Sequence, residues 1–277
     1  MTSKLKEMDQ LMREAENWAK QAEQWVRQQP LENVYVAIAI VIFTSVFLIL
    51  FRCFKHSKSN TIVLAGLSGS GKTTLFYQLR DGSSHLGTVT SMEPNIDTFL
   101  LNSEAQKKGK VKPVRVVDVP GHSRLRPKLD EFLPQAAGLV FVVDALDFLP
   151  NSRATAELST MNCGRQKEFF LYLYDILIKA SVVRKKIPIV IVCNKTDKVT
   201  AHSKEFIRKQ LEKEIDKLRT SRTAISTADI SDEYALGVPG EPFTFTQCHN
   251  KVTVAEASSL TGETSQIEQF IRENVKS

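Results

Sequence analysis

Apolar positions along the chain fall into three regimes. Early on they recur at Leu5, Met8, Leu11, Met12, Ala15, Trp18, Ala19, Ala22, Trp25 and Val26. That is the spacing of one helical face, and Pro30 closes the segment. From Val34 to Phe51 the pattern saturates, with VYVAIAIVIFTSVFLILF running eighteen residues without a charge. After a short polar linker ending in HSKSN, strand and helix patterns alternate. The runs TIVLAG, VRVVDV, GLVFVVDA, IPIVIVC and KVTVAEA predict strands. The stretches TTLFYQLR, KEFFLYLYDILIKASVV, SKEFIRKQLEKEIDKL and SQIEQFIRENV predict helices. Such alternation predicts an α/β domain over 61–277, with a mostly parallel sheet flanked by helices. Two stretches interrupt the rhythm, 150–166 and 220–250, and both read as loop insertions.

The saturated run has the length of a membrane crossing. A helix of eighteen residues is about 27 Å long, close to the hydrocarbon thickness of an endoplasmic reticulum bilayer. A core helix of that length would carry a polar face. A signal peptide would not begin its apolar stretch after thirty-three residues. We therefore expect a transmembrane helix over 34–51, a linker over 52–60 and a cytosolic domain over 61–277. Orientation follows from Arg52, Lys55 and Lys58, which crowd the C-terminal flank, because Lys/Arg excess marks the cytosolic side. That leaves residues 1–33 on the lumenal side. Trp18 and Trp25 share a face two turns apart, which suits either an interfacial helix or a solvated amphipathic one.

Composition adds less. The chain has 277 residues, 42% hydrophobic and 25% charged, with a formal charge of +6. Residues 1–51 carry −1, so the remainder carries +7. An excess of that size suits an anionic ligand or an acidic lipid surface. No dense arginine and aromatic stripe accompanies it, which argues against direct nucleic-acid binding. Cys53, Cys163, Cys193 and Cys248 show neither a C-x-x-C pair nor metal spacing and read as reduced thiols of a cytosol-facing domain. The basic turn Lys107-Lys108-Gly109-Lys110 reads as a hairpin tip or a point of contact with acidic lipid.

Three short motifs carry candidate chemistry. GLSGSGKT, Gly66 to Thr73, fits G-x-x-x-x-G-K-[ST] between a strand and a helix. Glycines there let backbone N–H groups turn toward a phosphate at the helix start. Lys72 would reach the β and γ oxygens, and the Thr73 hydroxyl would ligate Mg²⁺. The second motif, Asp118-Val119-Pro120-Gly121-His122, ends a strand. Asp118 there would hold Mg²⁺ through water, and the Gly121 N–H would meet a γ-phosphate. The third, Asn194-Lys195-Thr196-Asp197, follows another strand. Asp197 would accept from both N1–H and the N2 amino group of guanine, donors that adenine lacks. Lys195 would lie along the base.

These motifs, in this order and at these separations, resemble the small Ras-like GTPases. The resemblance implies a P-loop fold of six strands with GTP and Mg²⁺ as cofactors. It implies phosphate contacts from Gly66, Ser68, Gly69, Ser70, Gly71, Lys72, Thr73 and Thr74. Asn194, Lys195 and Asp197 match the guanine motif, and Ser258 and Ser259 match a last base-contact loop. Thr88 is the best candidate for the switch threonine that joins Thr73 and Asp118 on the metal, with Thr90 the fallback. His122 stands where many relatives position the attacking water and is the catalytic candidate. Arg124 and Arg126 read as switch-surface residues.

Arf and Sar proteins are similar at the loop opening. Thr2, however, follows Met1 where their myristoylation signal needs glycine. A fixed span, DVPGHSRLRPKLDEF and the long insertions make the chain similar to the signal recognition particle receptor β-subunit family. That resemblance implies endoplasmic reticulum residence and GTP-dependent docking of the receptor α subunit. Through it, ribosomes bearing nascent chains would reach the translocon. The competing expectation is an Arf/Sar-like trafficking GTPase that recruits coat proteins. Ser68, where Ras-type enzymes have glycine, together with His122, implies slow intrinsic hydrolysis.

Overall fold

The computed structural model describes residues 13, 17–18, 35–36, 39–47, 60–84, 88–104, 112–148, 168–225 and 234–275. The chain divides into two units, Met1–Ser57 and Lys58–Ser277. Within the first, the described residues are helical and exposed, among them 39–47 of the expected span. Among the described residues no helix is long and apolar enough to cross a membrane. Much of 1–33, the ends of 34–51, nearly all of 52–60, the turn 107–110 and the stretch 150–166 lie outside them.

The second unit is built on a six-stranded sheet: β1 Thr61–Ala65, β2 Asn95–Phe99, β3 Val114–Asp118, β4 Ala136–Asp144, β5 Ile189–Asn194 and β6 Val252–Glu256. Their spatial order is β2-β3-β1-β4-β5-β6. β2 runs antiparallel to β3, and every other pairing is parallel. The five parallel strands are the five predicted apolar runs. β1, β3, β4 and β5 bury both faces along most of their length, which is why they read as continuous rather than alternating hydrophobic stretches, whereas β6, at the sheet edge, buries only Ala255. Val63, Val117, Phe141 and Ile191 face one side, packed with Leu173, Ile207 and Leu211. Ile62, Val116, Val140 and Val190 face the other, packed with Leu75, Leu79, Ile267 and Ile271.

The helices are α1 Lys72–Asp81, α2 Lys128–Phe132, α3 over 168–178, α4 Ala180–Arg184, α5 Lys204–Ile225 and α6 Ser265–Asn274. Two differ from the sequence pattern. The predicted helix over 167–183 breaks at Lys179, which adopts extended backbone (φ −64°, ψ 127°) and pairs with Asp130 of α2. α5 also runs to Ile225, into the expected insertion. Thr220 and Ser221 hydroxyls donate to the carbonyls of Asp216 and Lys217 one turn back, so both polar side chains find their partners inside the helix.

Residues 234–250 are also no loose loop. Leu236, Phe243 and Phe245 are buried in the core. Arg219 gathers the segment by donating to the carbonyls of Leu236 (3.4 Å), Val238 (3.0 Å) and Glu241 (2.7 Å). Asp216 accepts from Phe243 N and Glu212 from Phe245 N.

Two predictions follow from this packing. Arg219→Ala should lower stability by about 1–3 kcal/mol by removing these hydrogen bonds from a charged donor. Hydrogen exchange should then rise selectively over 234–245; unchanged protection there would refute the hub role. Burial pushes the Cys193 and Cys248 thiols up to about 12. Alkylation of both at pH 8 should therefore be at least about a thousandfold slower than for an ordinary thiol, read by mass spectrometry on the native chain.

Candidate functional site

The site forms where the C-terminal ends of β1, β3 and β5 open onto loops. β1 delivers the chain into Gly66 with φ 137°, and a Cβ there would lie 2.3 Å from the Val142 carbonyl oxygen on β4. Only glycine permits that flush start. The loop closes on itself: Ser70 Oγ donates to Leu67 O (2.9 Å), and Lys72 Nζ donates to the same oxygen (2.8 Å). Gly71, at φ 88°, sits as the residue before α1. A side chain on it would strike Asn194 Nδ2 at 2.3 Å. Lys72 is almost wholly buried. Desolvation lowers its ammonium to about 8 against the pull of nearby Asp118. A polyanion entering the loop would reverse that shift, since it restores a partner for the charge.

Asp118 ends β3 next to this loop. Thr73 Oγ1 (2.7 Å) and Asn95 Nδ2 (3.1 Å) both donate to its Oδ2. Its Oδ1, also buried, has no hydrogen-bond partner among the described residues. Burial raises the carboxyl, while Thr73, Asn95 and Lys72 oppose the shift. A buried carboxylate oxygen without a donor, next to a threonine hydroxyl, fits a hard divalent cation with oxygen ligands. Gly121 follows so closely over the loop that a Cβ would meet Ser68 N at 2.4 Å.

Ser68, Gly69, Gly71, Lys72, Thr73, Thr74, Thr88, Asp118, Gly121 and Lys195 line one cavity of about 280 Å³. Val89, Thr90 and Ser91 add to its wall, as do Val119 and Pro120. Thr74 and Thr88 hydroxyls lie 3.4 Å apart, and Thr90 lines the same wall, so both threonine candidates face the cavity. His122 does not line it. Its Nδ1 accepts from Arg124 N (3.3 Å) and caps a short turn. Arg126 turns away as well, stacking 4.6 Å over the Tyr172 ring with Glu168 beside it.

The third motif stands beside the cavity, joined to it through hydrogen bonds. Asn194 is fully buried; its Nδ2 donates to Ser70 O (2.8 Å) and lies 2.9 Å from Ser259 Oγ, while its Oδ1 accepts from Ser259 N (3.0 Å). The Ser259 N–H expected for a base oxygen is thus directed at Asn194. Ser258 Oγ donates to Asp197 Oδ1 (2.8 Å). That bond, with Lys198 at 3.4 Å, holds the Asp197 carboxyl below its usual range despite some desolvation. Lys195 pairs with Asp144 at the end of β4. Sequence reasoning passed over Asp144 and did not assign Asn95 a role at Asp118. The acidic end of the run GLVFVVDA was the available signal for Asp144.

A family model described as "Signal recognition particle receptor beta subunit" matches residues 57–252. A human protein named "Signal recognition particle receptor subunit beta" is 34% identical over 234 residues, 83% of this chain and 79% of its own length. A Dictyostelium discoideum protein of the same name is 30% identical, covering 78% of this chain and 69% of itself. Among solved structures, "The Structure of the Mammalian SRP Receptor" matches with TM-score 0.63 and 28% identity, over 78% of this chain and all of that one. A Chaetomium thermophilum receptor chain, solved as "SRb-GDP-Mg", shares the fold at TM-score 0.55 and 20% identity, over 79% of this chain and 99% of that one. With the sheet order, the glycine-rich loop and the Asn194 bridge already in place, these matches show that the chain has the Ras-like GTPase fold and belongs to the signal recognition particle receptor β-subunit family.

Proposed function

We propose that the chain is the GTP-binding subunit of a signal recognition particle receptor, anchored in the endoplasmic reticulum membrane through residues 34–51. In its GTP state it docks the receptor α subunit, and through it brings ribosomes with nascent chains to the translocon. One observation carries the nucleotide reading: Asn194 ties the glycine-rich loop to the loop holding Asp197, so phosphate and base recognition are one bonded unit.

The residues divide the work by chemistry. Lys72 supplies charge and the backbone of 68–73 supplies N–H donors for the β and γ oxygens. Mg²⁺, held by Thr73 and Thr88 with Asp118 acting through water, would neutralise phosphate charge. Asp197, kept ionised by Ser258, accepts from the guanine edge, and Lys195 is steadied along the base by Asp144. Thr88 and Gly121 close on the terminal phosphate and order residues 88–95 and 122–128 as the surface a partner reads. His122 lies outside the cavity, with its Nδ1 capping a short turn, so it would have to swing inward to position an attacking water, which fits slow unassisted hydrolysis.

Calorimetry on the full chain in detergent micelles tests the base. GTP should bind far more tightly than ATP, and Asp197→Asn should lower GTP affinity by about 100-fold or more while leaving ATP binding unchanged. Equal affinity for the two triphosphates would sink the reading. For the partner, chain loaded with a non-hydrolysable GTP analogue should capture the α subunit from solubilised membranes several-fold better than GDP-loaded chain. Equal capture would remove GTP dependence from the proposal.

A further inference from the structure

The parallel register places every strand start of the sheet core on one edge. Thr61 is level with Arg115 and Ala136, and Leu139 is level with Ile189, itself level with Val252. Asp118 and Asn194 end their strands at the opposite edge, where the candidate site lies. The edge of strand starts is basic. Lys112 precedes β3, Lys185 and Lys186 precede β5, and Lys251 precedes β6, all exposed. Arg115 adds a half-buried guanidinium bonded to Gln135 (3.0 Å). Lys185 Nζ is fixed at the edge by donating to Pro134 O (2.5 Å). Of the four lysines, Lys251 has an acidic neighbour among the described ion pairs, Glu273 at 3.7 Å.

We propose that this rim of Lys112, Lys185, Lys186 and Lys251 is a lipid-facing surface that takes anionic phospholipid headgroups. The proposal rests on the reading of residues 34–51 as a membrane anchor. Chain connectivity selects lipid as the occupant. β1 is entered from Asn60, whose carbonyl accepts from Arg115 N (3.1 Å), so the attachment point lies on the basic edge itself. Residues 52–60 span at most about 30 Å fully extended, and they add Arg52, Lys55 and Lys58. With 34–51 as the anchor, a tether of that length bounds how far Asn60 can stand from the headgroup layer, and clustered basic groups beside a membrane anchor are drawn to an acidic leaflet. The rim charges are spread along an edge rather than buried among partners, which suits a fluid array of headgroups. No function assigned above uses them.

The full chain reconstituted into vesicles tests this. One set holds neutral phosphatidylcholine, the other adds phosphatidylserine to about a third of the lipid. A brief pulse of membrane-impermeant amine-acylating reagent is read by peptide mass spectrometry. Lys112, Lys186 and Lys251 should react about threefold or more slowly in anionic vesicles, while exposed Lys198 and Lys213 should not change. Salt near 1 M should close the gap, because it shortens the screening length to about 3 Å. Lys186→Gln with Lys251→Gln should weaken the protection left at Lys112. Equal rates in both vesicles, in a chain that alkaline carbonate fails to extract, overturn the lipid surface and leave the anchor standing. A chain that carbonate does extract overturns the anchor and this surface together. Protection that arises in neutral vesicles only on adding RNA overturns the proposal by assigning the rim to nucleic acid.

Discussion

The side chain of Asn194, wholly shielded from solvent, bonds the Ser70 carbonyl on one side and Ser259 on the other. The glycine-rich loop and the loop after β6 come from opposite ends of the second unit, and this amide joins them. Both partners are backbone groups in a buried setting, so losing the amide would leave each unsatisfied at about 1–3 kcal/mol. The sheet supplies the precision. Asn194 is the last residue of β5, held in register with Asp144 on β4, and Asp144 in turn holds Lys195. Candidate phosphate and base contacts are therefore spaced by strand pairing, which side-chain motion hardly disturbs.

Around that bridge the site has two electrostatic centres of opposite character. Lys72 and Asp118 are buried, and desolvation moves each toward its neutral form. Asp197 is held charged by a hydroxyl and an ammonium. The first pair therefore responds to what enters the cavity, whereas the second stays ready to accept. An arrangement of this kind suits a protein whose state is set by the ligand it holds.

The parallel core and the motifs were legible in the sequence because each is local. A strand buried on both faces is a run of Val, Ile and Leu, and GLSGSGKT is contiguous. What escaped depended on distance or on half-burial. β2, NIDTF, alternates between half-buried and exposed positions at the sheet edge and carries too little apolar signal. The pairing of Asn95 with Asp118 spans twenty-three residues and becomes visible only when β2 lies beside β3. The helix break at Lys179 has no proline or glycine to announce it. In 220–250, polar residues suggested a loop, yet α5 continues to Ile225 with the Thr220 and Ser221 hydroxyls bonded one turn back, and the Phe243 and Phe245 rings enter the core.

Gly66 and Gly71, at the two ends of the glycine-rich loop, differ in what opposes a side chain, and that difference bears on how this sequence can drift. At Gly66 the obstacle is the main-chain oxygen of Val142, which every amino acid at 142 would present. No compensating exchange at that neighbour relieves a methyl group at 66, so the position has no nearby suppressor. At Gly71 the first obstacle is the Asn194 amide, a side chain that genetics can replace, although the left-handed backbone would still resist. Mutational histories should therefore be rigid at the loop's entrance and slightly permissive, in pairs with residue 194, at its exit.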